Sequence, residues 1–162
     1  LEMVNNKTGV LARLGIRLAC ILMGRSPEET DRLGILGSKV GIAFQIQDDV
    51  VNLTSEEFAK GKGYLGEDIH EGKKSLMVIH ACQNSDKADR LKEILDMKTK
   101  DQDLIHEAIS IIKEAGSIKF ARERAAEIVE QAWNDIDSYL PETQGKKNLH
   151  SLCNLLIDRD YQ

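Results

Sequence analysis

The chain has 162 residues, of which 41% are hydrophobic and 30% charged, enough to bury a core and typical of a globular protein rather than a disordered or fibrous one. Its 27 acidic residues outnumber its 22 basic ones, and the net charge of -5 excludes a general nucleic-acid or anionic-membrane surface while permitting a local basic pocket. The longest wholly apolar run, Leu18 to Met23, is far too short to span a bilayer.

In chain order, the spacing predicts a helix from about Lys7 to Met23. Val10, Leu11, Leu14, Leu18, Ile21 and Leu22 recur at helical intervals, and Gly24-Arg25 ends the pattern. Asn6-Lys7-Thr8-Gly9 stands at its start, where a lysine and a hydroxyl beside free helix N-terminal amides can receive an anion. An ordinary cap with an exposed lysine accounts for the same residues. Ser26-Pro27-Glu28-Glu29 is a strong start for the next helix, with an N-cap, a proline in the first turn and acids that match the macrodipole. That helix is expected to run to about Leu53, with Leu33, Leu36, Val40, Phe44 and Val51 facing a core.

Its C-terminal half carries the strip Gly41 to Asn52. Residues four apart share a helix face at roughly 6 Å, so Phe44, Asp48 and Asn52 align, as do Gln45 and Asp49. Two adjacent carboxylates in apolar sequence repel each other and are costly to desolvate unless a cation joins them. Hard oxygen ligands completed by water suit Mg²⁺, which usually arrives with substrate phosphates. A solvated helix edge is the bland alternative, but Val50, Val51 and Leu53 follow the pair at once.

From Thr54 to Lys74 the pattern breaks. Lys60 to Lys74 holds four glycines and four lysines without a clean period. A segment of this length is usually functional or disordered, and Tyr64, Leu65 and Ile69 offer it apolar anchors. Lysines on a glycine-permitted backbone can fold over phosphates as point charges. His70 alone carries no message. Helices are then expected over Ser75 to Ala81, Lys87 to Met97, Asp103 to Ala115, Ser117 to Tyr139 and about Lys147 to Ile157. The stripe Ile118, Ala121, Ala125, Ile128, Ala132 and Ile136, with Trp133, reads as core. With no strand-like alternation and two prolines at helix junctions, the expectation is an all-α domain of six or seven helices.

Cys20, Cys82 and Cys153 are far apart and odd in number, fitting free buried thiols in a reducing compartment and hence a cytoplasmic protein better than a disulfide framework or a zinc site. No signal or transit segment is visible. The chain opens on Leu1, in the lead-in to a helix, and is expected to be part of something longer.

Three motifs stand in order: Asn6-Lys7-Thr8-Gly9, then Phe44-Gln45-Ile46-Gln47-Asp48-Asp49-Val50-Val51-Asn52, then Glu67-Asp68-Ile69-His70-Glu71-Gly72-Lys73-Lys74-Ser75. Together they resemble the C-terminal half of a trans-isoprenyl diphosphate synthase, a polyprenyl synthetase of the geranylgeranyl type. The likeness runs from about Asn5 to Tyr161. It implies the C-terminal part of the isoprenoid synthase helical bundle, a homodimeric full-length protein and Mg²⁺ as cofactor. The reaction implied condenses an allylic diphosphate with isopentenyl diphosphate. By that resemblance Asp48 would hold Mg²⁺ directly, Asp49 would support it and Asp68 would bind its water shell. Lys7, Lys62 and Lys73 would contact the allylic diphosphate. Thr8 and Gln45 would stand beside the reacting carbons, and Phe44 would wall the second substrate.

Two features depart from the family pattern. Asn52 takes the place of the last aspartate of DDxxD, and a neutral amide is a weaker metal ligand, which points to a supporting role. The interval from Lys62 to Asp68 is slightly longer than in farnesyl-type enzymes. No other DDxxD or DDxxxxD occurs in the chain, so one metal-ligand set is present and the family's first is not. A non-catalytic helical partner subunit of a prenyltransferase is the alternative reading. A class I terpene cyclase shares the helical fold, but its second metal motif normally mixes Asn, Ser or Thr and Glu.

Overall fold

The computed structural model describes residues 1–55 and 65–157, and among these every regular element is helical. Lys60, Lys62 and Tyr64 of the lysine-rich stretch, and Tyr161 at the end, lie outside the described residues. Helix α1 (Glu2–Val4) runs into a π-helical turn at Asn5–Gly9 and then α2 (Val10–Leu22). There follow α3 (Pro27–Thr54), α4 (Glu67–His70), α5 (Leu76–Asn84), α6 (Ala88–Met97), α7 (Gln102–Glu114), α8 (Ser117–Asp137) and α9 (Gln144–Ile157). This is a finer division than six or seven helices, because α1, the π-turn and α4 are too short to leave a periodic trace. None of the described helices is long and apolar enough to cross a membrane.

The helix starts follow from local chemistry. At α3 the Ser26 Oγ accepts from the Glu29 N–H at 3.2 Å while the Glu29 carboxylate accepts from the Ser26 N–H at 3.0 Å, a reciprocal capping box. The backbone bond from Ser26 holds the Glu29 carboxyl below its ordinary range. Ser75 caps α5 by accepting from the Val78 N–H, and Asp101 caps α7 by accepting from the Asp103 N–H.

The chain packs as two compact units. One comprises Leu1–Gln45 with the described residues from Arg124 on, and the other Ile46–Glu123; the divisions fall inside α3 and α8. In the first unit Leu36, Val40 and Ala43 of α3 are buried, as are Ala125, Ile128, Val129, Ala132, Trp133 and Ile136 of α8. Trp133 stacks on His150 and donates its indole N–H to Asp137 at 3.1 Å. Leu33 and Phe44, expected in the core, are only half-buried. In the second unit Val50, Val51 and Leu53 are buried, with Ile69, Met77, Val78, Leu91, Ile94, Ile105 and Ile112. The three thiols are free as expected; Cys20 and Cys153 are buried, whereas Cys82 is half-exposed.

In the first unit α2 and α3 approach backbone to backbone. A Cβ on Gly41 would lie 2.9 Å from the Gly9 Cα and 3.2 Å from the Thr8 carbonyl oxygen, and one on Gly37 would lie 2.9 Å from the Ala12 carbonyl oxygen. Absent side chains at 37 and 41 therefore set how close the two helices come. The face of α2 turned away from this seam is uncovered. Val10, Leu11, Leu14, Leu18, Ile21 and Leu22 are all exposed, Leu11 to 68% and Leu22 to 86%.

Glycine-to-alanine changes should therefore take opposite signs along this pair. Gly41→Ala is expected to lower the unfolding free energy by about 1–3 kcal/mol through overpacking. Gly15→Ala on α2, where an added Cβ meets nothing within 4 Å, is expected to raise it by about 0.5–1 kcal/mol. Urea unfolding of the two variants checks both, and equal responses would refute the close helix approach.

Candidate functional site

The predicted site residues fall into two groups, one in each compact unit. In the first unit the Thr8 hydroxyl donates to the Gln45 Oε1 at 3.0 Å, across a sequence separation of 37 residues. Phe44 and Gln45 are half-buried on α3, and Lys7 is exposed. Lys7 and Thr8 do not begin a helix as the spacing suggested. They sit inside the π-turn, where the Asn5 N–H already bonds the Leu1 carbonyl and the Val10 N–H bonds that of Asn5. Their backbone amides thus lie within a helical run, and an anion beside them must be met by side chains. A π-turn widens the helix by one residue and frequently marks a functional segment. The Asn5 Oδ1 is buried there and has no hydrogen-bond partner among the described residues.

In the second unit the acidic doublet splits. Asp49 is buried, its side chain 7% exposed, whereas Asp48 is exposed. This corrects the expectation of a doublet embedded as a pair: successive residues on a helix are about 100° apart, so one faces the core and its neighbour does not. The Lys73 Nζ donates to the Asp49 Oδ1 at 2.7 Å and to the Asp68 Oδ2 at 2.8 Å. Burial alone lowers the Lys73 ammonium, but the hydrogen bonds and charges of Asp49 and Asp68 outweigh it and raise the group above its ordinary value. Carboxylates from α3 and α4 thus converge on one positive centre from the following loop.

Asn52, buried on α3, uses both its polar ends on the same segment. Its Oδ1 accepts from the Asp68 N–H at 3.2 Å, and its carbonyl accepts from the Gly66 N–H at 3.2 Å. The neutral amide at the last motif position therefore holds the Asp68 backbone. The loop that follows depends on two glycines of positive φ. A Cβ on Gly66 (φ 77°) would lie 2.6 Å from the Ile105 Cγ2, and one on Gly72 (φ 68°) would lie 2.9 Å from the Leu95 carbonyl oxygen. The sequence reading missed the engagement of Asn52 with the backbone. It also passed over His70, whose Nδ1 lies 2.8 Å from the Lys98 carbonyl oxygen and 3.1 Å from that of Thr99. Gly66 and Gly72 bracketing so short a segment were the available hint that it is tightly enclosed.

The structure thus brings Thr8 to Gln45, and Lys73 to Asp49 and Asp68. Lys62 lies outside the described residues. The donor set suits a divalent cation: two carboxylates already lie within bonding distance of a single positive atom. Among the described residues no three His, Cys, Asp or Glu side chains are grouped so as to hold a metal unaided.

The family model described as polyprenyl synthetase matches residues 1–112. A short chain isoprenyl diphosphate synthase from Methanothermobacter thermautotrophicus is 32% identical over 161 residues, covering 99% of this chain and 49% of that protein. A geranylgeranyl pyrophosphate synthase from Penicillium shearii is 41% identical over 132 residues, covering 82% of this chain and 33% of that protein. Among solved structures, the geranylgeranyl pyrophosphate synthetase from Pyrococcus horikoshii superposes with a TM-score of 0.82 at 34% identity, over 98% of this chain and 48% of its own. The chain therefore spans about half the length of these proteins, or less.

Removing the bridging ammonium tests the charge arrangement. Lys73→Met leaves the Asp49 carboxylate buried without this partner and is expected to cost about 3 kcal/mol of unfolding free energy. Adding Asp49→Asn to that variant should recover most of the loss. Urea unfolding of the single and double variants measures the coupling, and simple additivity of the two losses would show that the pair is not linked.

Proposed function

The chain belongs to the polyprenyl synthetase family, and on that footing we propose that it forms the diphosphate-holding part of a Mg²⁺-dependent prenyltransferase. The reaction condenses an allylic diphosphate with isopentenyl diphosphate to give geranylgeranyl or farnesyl diphosphate. The observation that carries this reading is the convergence of Asp49, Asp68 and Lys73 within hydrogen-bonding distance. A cation site made of carboxylates with a lysine beside it is what a metal-chelated diphosphate requires.

In the proposed mechanism Asp48 would hold Mg²⁺ directly, Asp49 would support it and Asp68 would bind its water shell. When bound, Mg²⁺ would neutralise the negative charge that develops on the departing diphosphate. Lys7, Lys62 and Lys73 bind the diphosphate oxygens, Lys73 by exchanging one of its carboxylate partners for phosphate. The Thr8 and Gln45 oxygens, kept in register by their mutual hydrogen bond, stabilise the allylic cation. Phe44 walls the space for isopentenyl diphosphate, whose alkene attacks the cation before a proton is lost. The enzyme is proposed to act in the cytoplasm.

The complete site needs a second acidic motif, and the 162 residues contain none. The exposed apolar face of α2 is where the remaining half of the synthase fold is proposed to seat. A contiguous patch of large apolar side chains marks an interaction surface, and the relatives carry about as much chain again as they share with this one. That half is supplied within one polypeptide or by a partner, and the full assembly is proposed to be a homodimer. The same uncovered face supports the second reading, a helical subunit that modulates a separate catalytic chain. Retention of Lys7, Gln45, Asp48, Asp68 and Lys73 weighs for the first.

Two outcomes are expected. In the assembled enzyme Asp48→Ala should cut turnover roughly 10²–10³-fold with little change in unfolding midpoint, since its side chain is exposed; unaltered turnover would remove Asp48 from the mechanism. The 162-residue chain alone should show no turnover and bind a bisphosphonate poorly. Co-expression with the non-overlapping half of the Methanothermobacter relative should yield a complex on sedimentation that Leu14→Glu with Leu18→Glu disperses. A complex indifferent to those changes would place the interface elsewhere.

A further inference from the structure

We propose that His70 is a positioning residue for Lys73, acting through the four-residue helix α4. The inference rests on the reading of Lys73 as a diphosphate ligand for its functional meaning, although the placement of Lys73 is testable without any ligand. A single helical turn cannot hold itself together in water, because nucleation fixes several residues for one hydrogen bond. Helix α4 therefore borrows its order from its neighbours. Its N-terminal end is tied to α3 by the two bonds from Asn52. Ile69 in its middle is 1% exposed and anchors one face.

The C-terminal end is where Lys73 leaves, and His70 is the side chain that ties it. Its Nδ1 lies within hydrogen-bond distance of two carbonyl oxygens, those of Lys98 and Thr99. Carbonyls only accept, so Nδ1 carries a proton and donates. The two carbonyls belong to the turn between α6 and α7. That turn is itself built firmly: Lys98 adopts φ 47°, and the Thr99 Oγ1 accepts from the Asp101 N–H. The Arg90 guanidinium clamps α6 to α7 with paired 2.8 Å bonds to Glu107. Gly72 then passes so close to the Leu95 carbonyl that no side chain fits. From there the Lys73 N–H returns to the Asp68 carbonyl at 2.9 Å. With both ends of α4 fixed, Asp68 and the Lys73 backbone have one mutual placement, and the ammonium reaches Asp49 and Asp68 together.

The test separates the donor at Nδ1 from the bulk of the ring. His70→Leu keeps bulk and loses the donor, His70→Asn carries an amide nitrogen near the Nδ1 position, and His70→Gln carries it one bond too far. Hydrogen exchange of the Lys73 amide is read in the ligand-free chain. Exchange is expected to quicken by up to roughly tenfold in His70→Leu and His70→Gln, the equivalent of a lost hydrogen bond, and to return near the original rate in His70→Asn. Unchanged exchange in the leucine variant, or failure of asparagine to rescue, overturns the assignment. Should the leucine variant not fold, the asparagine and glutamine pair decides the same question. Titration of the assembled enzyme with Mg²⁺ and inorganic pyrophosphate provides the second readout. Affinity is expected to follow the exchange order, and an affinity blind to all three substitutions also overturns the proposal. Complete lack of binding by the unaltered assembly instead defeats the prenyltransferase reading, leaving the exchange result to judge His70.

Discussion

The buried carboxylate of Asp49 is the constraint around which the second compact unit is arranged. An ionised group with so little access to water must be matched by opposite charge, or the helix that carries it cannot sit in the core. Lys73 supplies the match, and Asp68 shares it. Because the lysine comes from a loop and not from a neighbouring helix, the requirement propagates outward. The loop must turn at Gly66 and Gly72, and Asn52 must receive its backbone. A requirement for charge balance thus becomes a requirement on chain path.

The first unit answers to a different constraint, one of distance rather than charge. The Thr8–Gln45 bond spans α3 and the π-turn at 3.0 Å, where the two backbones also run close together. Gly9 and Gly41 allow the close approach. Packing at this point leaves no slack, since interiors are as dense as molecular crystals. The small residues on α3 are therefore part of how a polar pair is aimed, although none of them carries chemistry.

Much of this was legible in the residues themselves. The capping box at Ser26, the stripe on α8 and the three ordered motifs all have local signatures, so fold class and the identity of the acidic and basic groups could be read directly. What escaped has a physical reason in each case. The π-turn adds one residue to a helical turn, which hydrophobic spacing does not register, so Lys7 and Thr8 were expected at a helix start. Helix α4 spans barely one hydrophobic period, and its anchors lie in partners distant in sequence, so His70 carried no weight by itself. The division of Asp48 from Asp49 follows from the rotation of α3 about its own axis, which a tally of apolar neighbours does not resolve. Periodicity in α2 announced an apolar face correctly, but a period cannot say what that face meets.

That uncovered face has a thermodynamic corollary. A surface of leucines that gains by leaving water links the folding equilibrium of this chain to the amount of whatever covers it. If the covering half is a separate polypeptide, the melting temperature of this chain is no fixed molecular constant but rises with the concentration of that half. If both halves share one polypeptide, the same contact acts at a fixed effective concentration and dilution leaves it unchanged.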